Sequence, residues 1–227
     1  MWTISELKER GKAAFKANYW NSVIVAVLLS LLAGGAGASA KGETNAEELQ
    51  SSLMMLDPLA LQIFFGGLMT VSVIAFLLRI FVFNPLQVGG YRFFKKNVEE
   101  GYAPLGTIGE GFSDYGRIFI TLLLRDVFLA LWSCLFIIPG IVKSYSYRMV
   151  PYIIKDNPEL SATEVITRSR ELMNGNKWRA FVLDLSFLGW IILGAITCEI
   201  VGIFWTNPYI QNTNAALYLE LSKNRQY

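Results

Sequence analysis

Four long apolar runs constrain this chain more than any other feature: Trp20 to Ala40, Leu59 to Phe83, Ile118 to Ile138 and Trp178 to Phe204. Each is long enough to cross about 30 Å of hydrocarbon at about 1.5 Å per residue. Five charged residues nevertheless lie inside such runs: Arg79, Arg125, Asp126, Asp184 and Glu199. A charge at the bilayer centre costs about 2.5–3.5 kcal/mol on insertion scales. These five are therefore the candidate working parts.

Composition narrows the function classes. The 227 residues are 53% hydrophobic and 17% charged, against about 25% charged in a soluble domain. The net charge is only +2, which does not indicate a nucleic-acid partner. The chain has no histidine, so the commonest general base and zinc ligand are missing. Cys134 and Cys198 lack metal-like spacing and read as buried free thiols. No His-x-x-Glu-His, nucleophile elbow, Walker loop or dinucleotide fingerprint is present. No catalytic residue, metal or cofactor is expected, and the chain reads as non-enzymatic. Ala38-Ser39-Ala40 has the form of a signal-peptidase site, but the run before it reads as part of the fold.

Lys and Arg placement sets direction. Lys8, Arg10, Lys12 and Lys16 put the N-terminus inside, and the acidic connection 41–58 lies outside. Arg92, Lys95, Lys96 and Arg117 return to the inside. The stretch 143–179 is again rich in Lys and Arg, which requires the short segment 141–154 to cross back. By the same logic 209–221 returns, leaving Lys223 and Arg225 inside. The expected fold is all-α: a polytopic transmembrane helical bundle of about six spans as three hairpins, with both termini cytosolic. A four-span version keeps the termini inside and differs in the fate of 156–177. The whole chain reads as one membrane domain: 1–19 an amphipathic interfacial helix, 20–97 and 98–157 two hairpins, and 158–227 a second amphipathic helix with the third hairpin.

Residues 3–20 and 161–178 align without a gap. Thr3-Ile-Ser-Glu6 and Ser161-Ala-Thr-Glu164 both read as capping boxes. Asn18 meets Asn176, and Trp20 meets Trp178. Apolar stripes at helical spacing (Ile4, Leu7, Gly11, Ala14, Phe15, and Ala162, Val165, Ile166, Ser169, Leu172, Met173) predict two amphipathic helices on the inner membrane surface. The stretch Gly101 to Gly111 reads as a flexible, poorly helical connection. Asn84-Pro85 resembles Asn207-Pro208, although this topology places them on opposite sides; a proline kink in a second helix running to about Asn97 would account for the former.

By depth, Arg125 and Asp184 both fall about 10 Å below the inner surface, with Arg79 shallower. Arg79, Arg125, Asp126 and Asp184 sum to zero charge, and are expected to meet as an ionic cluster with Arg125 against Asp184. Glu199, toward the outer end of its span, reads as an isolated carboxylate hydrogen-bonded by Asn207, Asn212 or a tyrosine.

The residues Ile138-Pro-Gly-Ile-Val-Lys-Ser-Tyr-Ser-Tyr147, Asp156-Asn-Pro158, Ser169, Met173 to Trp178, Phe181-Val-Leu-Asp-Leu-Ser-Phe187, Trp190 and Ala215-Ala-Leu-Tyr-Leu-Glu-Leu221 together resemble a bacterial integral-membrane family known as domain of unknown function 975. More distantly, the pattern is similar to the membrane domain of some glycerophosphodiester phosphodiesterases. The resemblance implies a multi-span protein of the bacterial cytoplasmic membrane and supplies no activity. The expected function is non-enzymatic action through a partner or on the cell envelope. Its partners are the bilayer and an anionic lipid or a protein at the cytosolic face. The alternative is a small secondary transporter or permease for a polar solute or proton.

Overall fold

The structure, a computed structural model, describes residues 2–32 and 57–223, apart from the side chains of residues 32, 75, 76, 79 and 80. Most of the connection 41–58, the Ala38-Ser39-Ala40 site and Arg225 lie outside the described residues. Among those described, every regular element is helical. In chain order they are α1 (Ile4–Ala17), α2 (Tyr19–Leu32), α3 (Pro58–Leu78), α4 (Asn84–Glu100), α5 (Tyr115–Leu135), α6 (Ile137–Ser146), α7 (Val150–Asp156), α8 (Ala162–Leu172), α9 (Lys177–Leu185), α10 (Leu188–Ile196) and α11 (Asn207–Lys223).

The centre is built from α4, α7 and α11. Each carries a proline in its first turn, Pro85, Pro151 and Pro208, where the missing N–H costs least. Just before Pro85 and Pro208 the chain widens into π turns, Arg79–Phe83 and Gly202–Thr206, which accommodate the broken i→i−4 ladder. The three helices run in the same direction. Leu29 of α2 meets Gly90 of α4, and Ser30 accepts from Asn207 of α11. One step deeper, Asn97 of α4 donates to Asn212 of α11 at 2.8 Å. Tyr152 of α7 stacks on Tyr218 of α11 and meets Tyr91 of α4 edge-on. The two Asn-Pro pairs thus occupy equivalent places in parallel helices, and the conflict in the predicted topology disappears.

A buried asparagine network locks this centre. Asn18, at the junction of α1 and α2, donates to Asn97 and to the Ala103 carbonyl. Asn97 donates in turn to the Ala14 carbonyl, and Asn212 to the Pro208 carbonyl. Buried amides are tolerated only when paired in this way.

Both capping boxes form, at Thr3/Glu6 and at Ser161/Glu164. The stripes they introduce do not face a membrane surface, however. Leu7, Gly11, Ala14 and Phe15 are buried where α1 packs on α11. Val165, Ile166, Ser169 and Leu172 are buried where α8 packs on α5 and α7. Small residues explain the difference from the predicted interfacial helices. A side chain at Gly11 would approach the Thr213 backbone nitrogen to 2.7 Å, so this stripe fits a helix backbone better than disordered lipid. The supposedly flexible stretch before Phe112 is also ordered. Leu105–Phe112 forms a 3-10 helix against α4, and side chains at Gly89 or Gly111 would overlap the Ile108 or Pro85 carbonyl.

Among the described residues two helical stretches, α5 (Tyr115–Leu135) and α9 with α10 (Lys177–Ile196), are long and apolar enough to cross a membrane; counting α1 and α2, bent by 107° at their junction, as one span gives three. Six spans are not supported. The predicted crossing 141–154 is broken into α6 and α7 of ten and seven residues. The predicted crossing 209–221 is α11, which carries Asn212, Thr213 and Asn214 and is enclosed by protein on nearly all sides.

Candidate functional site

Asp184, in α9, is the centre of one polar group. Arg148, in the turn between α6 and α7, donates from Nη1 to Asp184 Oδ2 at 2.8 Å and from Nη2 to Oδ1 at 2.7 Å. Tyr145 donates to Oδ2 at 2.8 Å, and Arg148 Nη2 also reaches Asn214 Oδ1 of α11 at 2.7 Å. Tyr145 and Arg148 come to one side because they lie three residues apart at the end of α6. The bidentate pair is partly shielded: 19% of the Arg148 side chain and 36% of Asp184 remain exposed.

The second group lies where α4, α7 and α11 converge. Asp156 Oδ1 accepts from Arg92 Nη1 at 2.6 Å and Lys95 Nζ at 2.8 Å, and Oδ2 from Tyr218 at 2.6 Å. Arg92 and Lys96 also bind Glu110. Burial works against the charged Glu110 carboxylate, but the hydrogen bonds and charges of Lys96 and Arg92 outweigh it and hold its pKa below the usual value. A cavity of about 450 Å³ opens here, lined by Arg92, Lys95, Lys155, Asp156, Arg168 and Tyr218 among others. Burial pushes the Lys155 ammonium down, with Asp114 opposing it. Between the two groups the Tyr152 hydroxyl is buried and has no hydrogen-bond partner among the described residues.

The predicted charge cluster is not assembled. Among the described residues no ion pair joins Arg125 to Asp184; Arg125 binds its neighbour Asp126 at 2.7 Å. The depth estimate treats 118–138 and 178–204 as the facing spans, whereas α9 packs on α6 and takes its cation from there. The Arg79 side chain is outside the described residues. Glu199, expected toward the outer end of its span, lies just beyond the end of a helix. The helix ends at Ile196, and Cys198 and Glu199, both with positive φ (48° and 66°), make the reversal toward α11. The carboxylate folds over Gly202, where a side chain would collide with it. Asn207 and Asn212 bind elsewhere. Both thiols, expected to be buried, are exposed.

Arg148, Asp156, Arg92 and Lys95 carry the observed groups and are missed as site residues. In the sequence their basic members read chiefly as markers of direction, with Arg148, beside Lys143 and three tyrosines, also a candidate contact for anionic headgroups. The available signal is local: Tyr145 and Arg148 share a helical face, as do Arg92 and Lys95. Among the described residues no group of three or more His, Cys, Asp or Glu side chains could hold a metal ion.

Residues 128–225 match the model of a family described as a protein of unknown function, DUF975. The matched stretch contains Arg148, Asp156, Asp184 and Tyr218, and identifies a domain of unknown function. No curated protein and no solved structure matches the chain.

Proposed function

We propose that this chain is a non-enzymatic integral protein of the bacterial cytoplasmic membrane. It acts through what it touches: the bilayer along its apolar helices and a partner at its basic, cytosolic end. The outward faces of α3, α5, α6 and α10 carry large apolar side chains, and exposure reaches 78% at Ile137 in α6 and 74% at Ile196 in α10. Apolar surface of this extent marks a lipid or protein contact. Trp20 and Trp178, 67% and 71% exposed, suit the headgroup region.

The observation that carries the non-transport reading is the closure of Asp184. Both its oxygens already accept from Arg148, and one also from Tyr145. A solute site leaves a group waiting for its ligand; this one is a latch between α9, the α6–α7 turn and α11. The partnerless Tyr152 hydroxyl favours the second reading, a permease whose path joins the two polar groups. Reconstituted vesicles decide between them. The latch predicts that Asp184→Asn lowers folded protein, and that wild type moves no proton or polar solute. Movement by wild type that is lost in a well-folded Asp184→Asn variant overturns the proposal. Orientation is checked by labelling single cysteines in a Cys134→Ser, Cys198→Ser background. Asp57→Cys should react with an impermeant reagent in intact cells, and Asn157→Cys should not.

A further inference from the structure

Three cations gather near the end of α6. Lys143, Arg170 and Lys177 line a cavity of about 360 Å³ with Ser146, Thr167, Glu171 and Asn174. Among the described residues none of the three forms an ion pair, while Glu171, the one acid in the lining, binds Arg168 at 3.6 Å. Burial pushes the Lys143 ammonium down, and the Arg170 and Lys177 charges add to this; the ammonium rests over the Trp132 ring at 4.3 Å. Like charges gathered in one concavity are unfavourable unless an anion joins them. The cavity differs in this from the Asp156 cavity, whose inner cations share an internal carboxylate.

The surroundings select the anion. Val142 and Trp178, the chain neighbours of Lys143 and Lys177, are both exposed, and so is Ile141 one residue further along α6. An apolar wall beside a tricationic cup fits a molecule with a phosphate at one end and a hydrocarbon chain at the other. We infer that Lys143, Arg170 and Lys177 form a binding site for the phosphate of an anionic phospholipid headgroup. Lys143 and Lys177 approach as point charges and Arg170 offers a bidentate fork. The inference rests on the membrane reading above and names the partner at the basic end.

The test uses the full chain purified in detergent, with lipid binding followed by native mass spectrometry and by the shift in melting temperature. Phosphatidylglycerol is expected to bind and raise the melting temperature, and phosphatidylcholine not to. Loss of one charge-assisted contact lowers affinity by about tenfold or more. Arg170→Gln with Lys177→Gln, both on the rim, should therefore weaken phosphatidylglycerol by at least that factor per site. Lys12→Gln with Lys16→Gln removes the same charge from α1 and should change little. Equal weakening by the two pairs, or none by the first, overturns the site. Inorganic phosphate or glycerol phosphate producing the same shift at equal concentration assigns the cradle to a free phosphate and overturns the lipid source. Carbonate extraction of wild type and variants reads the membrane reading separately: retention of both in the membrane with unchanged lipid selectivity sinks the site alone, whereas release of both sinks the reading beneath it.

Discussion

Helices α3 and α11 invert the usual relation between composition and burial. The 21 residues of α3 are almost wholly apolar, yet nearly all its described side chains are exposed. The 17 residues of α11 include three asparagines, two tyrosines and a threonine, yet ten of its residues are buried. In a water-soluble protein burial follows apolarity. In α11 polar residues lie inside, because asparagine and tyrosine are satisfied by neighbouring helices, whereas among the described residues α3 has little protein against its apolar side chains. Apolar content in α3 reports on what lies outside the described protein rather than on its core.

The contrast is broken most directly by truncating one leucine in each region. Leu217→Ala in α11 should cost about 2–5 kcal/mol, as for other enclosed leucines. Leu131→Ala on the outer face of α5 should cost about 0.5 kcal/mol or less. Comparable losses in a denaturant titration in detergent would refute the inversion. Next comes the latch. Asp184→Ala should cost about 3 kcal/mol, at the low end for a stranded buried charge because Asp184 is partly exposed. Adding Arg148→Ala should recover part of that loss, and adding Arg125→Ala none; a double-mutant cycle reads the difference. Gly89→Ala should cost about 1–3 kcal/mol through overpacking, because the new side chain meets the Ile108 carbonyl. Gly66→Ala in α3, which meets nothing, should be neutral or slightly stabilising.

The smallest effect is pH-dependent. Glu110 has a lowered folded pKa, so its contribution is present above the ordinary value of 4.5 and is lost as pH falls through the folded value. A melting series from pH 6 down to about pH 3 should show this loss in wild type and less of it in Glu110→Gln. Partial exposure keeps the effect small.

The helical class, the two capping boxes and the position of the long apolar elements are legible in the sequence, since each depends on residues close in the chain. The partners of the charged residues are not. Arg125 and Asp184 match in estimated depth, but depth ignores the angle about each helix axis and the break at Phe136 that brings α6 back along α9. Asn18, Asn97 and Asn212 pass for ordinary polar residues because their value lies in meeting one another across 79 and 115 positions of chain. The stripes of α1 and α8 are correctly amphipathic, and only the identity of what covers them differs. Periodicity reports that a face is covered, never by what.

Three parallel helices also align three sets of peptide dipoles. The C-termini of α4, α7 and α11 lie at one end, and each carries roughly half a negative charge. Cations gather to answer it. Arg117 donates to the carbonyls of Ile154, Asn157 and Leu160 at the end of α7, and Lys155 and Lys223 occupy the last turns of α7 and α11. Residues that serve in the sequence as markers of direction are therefore also parts of the bundle's own architecture. Removing Arg117 would uncover three carbonyls at the end of α7, so a charge that reads as a topological signal is also a helix cap.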